Sequence, residues 1–127
     1  QAWFASIFVL RGLIPDGGSM YNLPRRIGLA KTKEIILTGR RVDADEALRI
    51  GLADALAPDG RLLETAREYA ARFSSQPRAS VMFIKSIVNQ TFEHSIRDIG
   101  ALGGEAQAIC YTTRDHQASV EGFLGKS

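Results

Sequence analysis

The sequence contains a single cysteine, Cys110, in 127 residues. A lone cysteine cannot form an internal disulfide, which excludes the disulfide-stapled class of small secreted domains and favours a reduced, cytoplasmic setting. No apolar run comes near the roughly 20 residues that a membrane helix needs, and no signal-peptide pattern opens the chain. We therefore expect a cytoplasmic protein with no membrane partner.

The chain also lacks a strong charge of either sign. Its formal net charge is +2, and acidic and basic residues are interleaved, so no basic block is long enough to follow a nucleic-acid backbone. His94 and His116 do not have the spacing of a metal-binding pair. We expect no nucleic-acid partner and no metal, whereas phosphate-bearing small molecules remain candidate partners.

The chain opens on an apolar run that is typical of a buried strand. Its members are Trp3, Phe4, Ile7, Phe8 and Val9. Such a strand is normally paired on both sides in a sheet, and apart from a weak candidate at residues 52–57 no other strand pattern follows. Because the run has no strong partner and the chain opens without methionine, we expect a piece of a longer protein.

Three helices are predicted in the first half of the chain. Ser19 is expected to cap a short helix, and a second helix over residues 29–37 is expected to end at Gly39. Asp43 and Glu46 have the spacing of a capping box, which predicts a third helix directly after them.

Beyond residue 58, apolar residues recur at helical spacing in four further helices. Their predicted starts are Asp59, Ala79, Ser95 and either Thr113 or Asp115. The residues expected to face inward are Leu62, Leu63, Ala66, Tyr69, Ala70, Phe73, Val81, Ile84, Ile87, Val88, Phe92, Ile99, Leu102, Ala106, Ile109, Val120, Phe123 and Leu124. A glycine cluster at residues 100–104 weakens one helix by roughly 1 kcal/mol per glycine and favours the close approach of another helix or subunit.

Asp16 is the strongest candidate for a catalytic residue, because it lies on a glycine turn between the opening strand and a helix. Pro15 fixes its own φ and favours an extended residue before it. Gly17 and Gly18 can adopt angles closed to other residues, and they leave space for a ligand. Pro-Asp-Gly is also a favourable turn on its own, so the pattern allows either a catalytic acid or a turn-forming aspartate.

Several short motifs follow one another in a recognisable order. From Gly12 the sequence reads GLIPDGGS, then LPR and IG, LTG at residues 37–39, DEALRIGL at 45–52, IKSIVN at 84–89 and FLGK at 123–126. This series resembles the C-terminal half of the enoyl-CoA hydratase/isomerase (crotonase) family over nearly the whole chain. The implied fold is α/β and mostly helical. Residues 1–58 would form the C-terminal part of the crotonase-like spiral core with the catalytic turn, and residues 59–127 a helical trimerisation region.

The resemblance gives Asp16 a role. In isomerase members of the family, a Glu or Asp at this position moves a proton between carbons of an acyl-CoA, whereas hydratases usually have a small residue there. Hydratases also have a catalytic glutamate four residues before the glycine that corresponds to Gly12. Here that position is Phe8, which cannot transfer protons. The resemblance therefore implies an enoyl-CoA isomerase-like protein that shifts a double bond through one carboxylate.

The resemblance also implies how substrate is held. The residues implied to bind it are Gly17, Gly18, Tyr21, Phe123 and Lys126. The last two match positions where the family often contacts the adenine or phosphates of CoA, in some cases from a neighbouring subunit. The alternatives are a core phenylalanine and a solvated lysine. The CoA thioester is itself the substrate carrier, so no separate cofactor is implied, and the expected partners are an acyl-CoA and further copies of the chain in a homo-trimer or hexamer.

The family's two backbone oxyanion donors lie upstream of the residues that this chain matches, so we expect the chain alone to be inactive. Two further interpretations stay open. A hydratase-like or C–C bond-modifying relative would need a different acid supplied upstream. A noncatalytic oligomerisation or binding module built from the helices would leave Asp16 as a turn residue only.

Overall fold

The computed structural model describes residues 2–125. Strand β1 (Trp3–Ala5) and a 3₁₀ helix (Phe8–Arg11) precede the helices α1 (Ser19–Ile27) and α2 (Leu29–Thr38). Strand β2 (Arg41–Asp43) and helix α3 (Ala44–Arg49) follow. The remaining helices are α4 (Leu62–Ser74), α5 (Arg78–Val88), α6 (Ile96–Tyr111) and α7 (Arg114–Leu124). The prediction of a mostly helical α/β fold is confirmed, and the chain divides between Gly60 and Arg61 into two compact units.

The two strands pair with each other in an antiparallel sheet, with Phe4 opposite Val42. Val42 is buried between the exposed residues Arg41 and Asp43, which is the alternation of a strand with one covered face. The Arg41 guanidinium lies 4.2 Å from the centre of the Trp3 ring on the diagonally opposite strand position. The expectation that the opening strand has no strong partner was therefore wrong, because a three-residue strand is too short to give a visible sequence pattern.

The predicted length of the opening strand was also wrong. The strand ends at Ala5, and the apolar residues Phe8 and Val9 belong to the 3₁₀ helix. Gly12 ends this helix in the left-handed conformation, with φ of 69°, and its N–H donates to the carbonyl of Val9 at 3.1 Å. A helical turn with a left-handed end cannot also be an extended strand, so the strand could not continue through these residues.

Residues 52–57 form no strand either. Their apolar character comes from packing, since Leu52 and Ala53 lie against the core of the first unit. That core consists of Ile35 from α2, Val42 from β2 and Ala47 from α3. The N–H of Ala53 donates to the carbonyl of Ala47 at 3.0 Å, which ties the segment to α3.

Arg40 joins α2 to α3 through two carboxylates. Its guanidinium donates to both oxygens of Glu46 at 2.7 and 2.6 Å and to Glu34 at 2.8 Å. The hydrogen bonds from Arg40 hold the pKa of Glu46 below its usual range. Hydrogen bonds from Lys31 first and then from Arg40 lower the pKa of Glu34 in the same way. The ion pairs therefore connect α2 with α3.

The predicted N-terminal caps of α3, α6 and α7 are confirmed. Asp43 accepts a hydrogen bond from the backbone N–H of Glu46 at 2.7 Å, and Ser95 and Asp98 form a reciprocal capping box on α6. Of the two candidate caps for α7, Thr113 is the one used. Helix α4 begins at Leu62 and not at Asp59.

The apolar stripes predicted to face inward in the second unit are mostly exposed. Among the described residues of that unit only Ala106 is a buried hydrophobic side chain, whereas Phe92 is 70% and Phe123 is 78% exposed. Helix α5 packs on α6, and α6 packs on α7. Helices packed side by side cover one stripe on each partner, so the remaining apolar faces stay open. None of the helices that the structure describes is both long and apolar enough to cross a bilayer.

Candidate active site

The Asp16 turn is closed by two donors from one residue. The backbone N–H of Ser19 donates to the Asp16 carbonyl at 3.0 Å, and the Ser19 hydroxyl donates to the same oxygen at 2.6 Å. Gly17 and Gly18 have φ of 57° and 75°, a pair of positive values that is typical of type I′ turns. The two glycines are therefore required by the backbone of the turn, as the sequence predicts.

The side chain of Asp16 is exposed, although the preceding Pro15 is buried. The carboxylate makes no hydrogen bond or ion pair with any residue from 2 to 125. It follows a buried proline and precedes a closed turn, so its backbone is fixed on both sides while its oxygens stay open to a ligand. This arrangement suits proton transfer to and from a substrate.

An apolar pocket of about 180 Å³ lies beside the turn in the first unit. Ser19 and Leu23 of α1 line it together with Phe8 of the 3₁₀ helix and Phe4 of β1. Phe8 is half-buried and adds an apolar ring to this wall, without any group that can transfer a proton. The pocket offers space for a hydrocarbon segment next to the residue that holds Asp16.

Tyr21 lies in the first turn of α1 and is half exposed. The guanidinium of Arg25 stacks 3.5 Å from the centre of its ring and also donates to the Tyr21 carbonyl at 3.0 Å. Stacking and hydrogen bonding together hold the aromatic side chain in place. A Cβ atom at Gly18 would lie 3.1 Å from the side-chain nitrogen of Asn22, so a larger residue there would crowd α1 as well as strain the turn.

The structure brings four of the predicted site residues together. Asp16, Gly17, Gly18 and Tyr21 belong to one loop and the helix that follows it. Phe123 lies on α7 in the second unit and is exposed, while Lys126 lies outside the described residues. No cluster of metal-ligating side chains occurs in the described part of the chain.

The role of Ser19 differs from the sequence prediction. Gly18 is the N-cap residue of α1, and no side chain caps this helix. The hydroxyl of Ser19 points back to the loop and bonds to the Asp16 carbonyl. A serine that caps a helix and a serine that bonds back to the preceding loop have the same sequence pattern, so only the geometry distinguishes them.

Comparison with known proteins decides the family. The family model for enoyl-CoA hydratase/isomerase matches residues 1–127. The chain belongs to the enoyl-CoA hydratase/isomerase family. The crystal structure of an enoyl-CoA hydratase/isomerase from Cupriavidus metallidurans is 30% identical to this family member and superposes with a TM-score of 0.90 over 99% of the chain and 48% of that structure. The predicted crotonase-like fold is thereby confirmed.

Two curated relatives of this enoyl-CoA hydratase/isomerase family member are named as hydratases. A short-chain-enoyl-CoA hydratase from Clostridium acetobutylicum is 31% identical over 115 residues, which are 91% of this chain and 44% of the relative. A crotonyl-CoA hydratase from Syntrophomonas wolfei is 29% identical over the same shares. The chain therefore spans about half the length of the curated relatives it matches.

Proposed function

We propose that the protein acts on acyl-CoA thioesters as a double-bond isomerase, with Asp16 as the acid–base group. The observation that carries this proposal is the pairing of an open carboxylate on a fixed turn with an apolar side chain, Phe8, in the adjacent pocket. A double-bond shift needs one group that removes a proton and returns it. Hydration needs further acid–base help to activate water.

The proposed reaction starts from an enoyl-CoA with its double bond one carbon away from conjugation. The Asp16 carboxylate removes a proton from the carbon α to the thioester, and the electron pair of that C–H bond spreads onto the thioester oxygen. The protonated Asp16 then returns the proton to the γ carbon, and the double bond moves into conjugation. No atom is gained or lost overall, so neither water nor an oxidant is required.

Several features of the first unit support this step. The Asp16 oxygens are exposed and have no partner among the described residues, so a substrate does not have to displace an internal ion pair. The pocket beside Ser19 is largely apolar, which suits a hydrocarbon chain better than a reactive water. Gly17 and Gly18 leave space beside the carboxylate, and the fixed Tyr21 ring borders the same loop.

The thioester oxygen becomes negative during the reaction and needs fixed hydrogen-bond donors. In the family these are two backbone N–H groups upstream of the residues matched here, so we propose that the chain alone is inactive. Phe123 and Lys126 are proposed to contact the adenine and phosphates of CoA. The exposed apolar faces of the second unit support a further proposal, association into a trimer or hexamer.

Hydration is the second candidate function, because the relatives from Clostridium acetobutylicum and Syntrophomonas wolfei are named hydratases. The two functions differ in their products. Isomerisation of a 3-enoyl-CoA gives a conjugated 2-enoyl-CoA without uptake of water, whereas hydration consumes the conjugated product and places a solvent oxygen on the β carbon. Mass spectrometry in ¹⁸O-labelled water separates them.

The decisive experiment replaces Asp16 with asparagine in the longest form of the protein that contains these residues. Asp16→Asn keeps the shape and removes the proton shuttle, so we expect isomerisation to fall by about 10²–10⁴-fold with CoA binding nearly unchanged. Asp59→Asn, an exposed carboxylate in the loop before α4, is the matched control and should retain full activity. Near-normal turnover by Asp16→Asn would refute the proposal.

A further inference from the structure

We infer that Ser19 is a positioning residue, whose hydroxyl holds the backbone of Asp16 and so places the Asp16 side chain relative to α1. The inference rests on the proposed role of Asp16 in proton transfer. It assigns to Ser19 no proton transfer of its own.

Two donors of Ser19 converge on a single acceptor. The hydroxyl lies 2.6 Å and the backbone N–H 3.0 Å from the Asp16 carbonyl oxygen. A carbonyl oxygen has two lone pairs and can accept both bonds at once. The hydroxyl therefore adds a second constraint to a turn that one backbone hydrogen bond already closes.

The turn needs this constraint because its centre is two glycines. Gly17 and Gly18 lack a Cβ atom and have wide conformational freedom, and a Cβ atom at Gly17 would have no neighbour within 4 Å. Packing therefore does little to hold Gly17. The hydrogen bonds from Ser19 link its first residue directly to the first turn of α1.

The placement of the Asp16 side chain relative to α1 depends on this link, because no described group holds the carboxylate itself. Its oxygens have no partner in residues 2–125. The hydrogen bonds to the Asp16 carbonyl hold the peptide plane between Asp16 and Gly17 against α1, which restricts where the Asp16 Cα atom, and so its side chain, can lie relative to that helix. The buried Pro15 fixes the chain on the other side of Asp16.

The hydroxyl is not engaged in helix capping. A serine that caps a helix accepts a hydrogen bond from a backbone N–H of the first turn, but α1 has no side-chain cap. The hydroxyl of Ser19 instead donates to the preceding loop. Ser19 also lines the apolar pocket together with Phe8 and Leu23, so one residue connects the orientation of the acid to the wall of the proposed substrate pocket.

The test compares Ser19→Ala with Ser19→Thr in the longest active form of the protein. A net hydrogen bond is worth enough to change an equilibrium by about two- to tenfold, so we expect Ser19→Ala to lower kcat by that factor and leave KM unchanged. Ser19→Thr keeps the hydroxyl and should restore kcat. Ser75→Ala is the matched control, because the Ser75 hydroxyl also donates to a carbonyl three residues earlier, that of Arg72, and its loss should not change kcat.

Each outcome supports or overturns the inference. An unchanged kcat in Ser19→Ala, an equal loss in Ser19→Thr, or a higher KM at constant kcat would overturn it. If Ser19→Ala does not remain folded by circular dichroism, Ser19→Cys takes its place, because it keeps the size of the side chain and weakens the donor. Full turnover by Asp16→Asn would refute the proposed function itself, whereas loss of turnover in Asp16→Asn with a normal Ser19→Ala would refute only the positioning role.

Discussion

Gly39→Ala should destabilise the first unit through two separate effects. Gly39 ends α2 in the left-handed conformation, with φ of 60°, where a residue with a Cβ atom is disfavoured by roughly 1–2 kcal/mol. A Cβ atom built on Gly39 would also lie 2.8 Å from the Cγ atom of Leu10, and overpacking of this kind costs about 1–3 kcal/mol. The lower entropy of the unfolded alanine chain offsets about 0.4–1 kcal/mol.

The expected loss in the free energy of unfolding is therefore about 1–5 kcal/mol, measured by urea denaturation. Gly12→Ala is the matched control. Gly12 ends the 3₁₀ helix with φ of 69°, but a Cβ atom at this position would have no neighbour within 4 Å. Gly12→Ala should show only the conformational cost, and the difference between the two variants measures the Leu10 contact.

The double variant Leu10→Ala/Gly39→Ala completes the test. Leu10 is 58% exposed, so its truncation alone should cost little, and it removes the atoms that an alanine at position 39 would meet. The double variant should recover the contact part of the loss. A Gly39→Ala protein no less stable than Gly12→Ala, or a double variant without recovery, would refute the reasoning.

Three further predictions concern the rest of the chain. Arg40 lowers the folded-state pKa of Glu46 below 4.5. The stabilisation by this pair should therefore be present above pH about 4.5 and lost as pH falls through the lowered value. On acid titration, the free energy of unfolding of Arg40→Gln should fall less than that of the unchanged protein. Ser95→Ala should lower the free energy of unfolding by about 1 kcal/mol in urea, since it removes the cap of α6, whereas Ser86→Ala on the exposed surface of α5 should not. The purified chain should self-associate at micromolar concentration in sedimentation, because exposed apolar faces of this extent are uncommon in monomers; a well-folded monomer would contradict this.

The features that were predictable from the sequence are local ones. Asp43 with Glu46 and Ser95 with Asp98 lie within one helical turn of each other, so their spacing predicts the caps that the structure contains. The glycines of the Asp16 turn are likewise a local signal, because positive φ at consecutive residues requires them. For the same reason the candidate acid could be located before any three-dimensional contact was known.

The features that were not predictable depend on residues far apart in the chain. The pairing of β1 with β2 joins segments separated by more than thirty residues, and each strand is only three residues long. The exposure of Phe123 and Phe92 depends on what covers a helix face, whereas helical periodicity indicates only that the face is apolar. The direction of the Ser19 hydroxyl involves a local choice between two acceptable hydrogen bonds.

The short β1–β2 ladder also limits unwanted growth of the sheet. A pair of strands has two outer edges whose backbone groups can recruit strands from other molecules, and long, flat, apolar edges do so most readily. Here each strand offers three residues, and the charged guanidinium of Arg41 lies over the exposed ring of Trp3. A charge held over the face of so short a ladder opposes amyloid-like stacking, so any aggregation of this chain should proceed through its helical faces and should not produce the cross-β signal of fibrils.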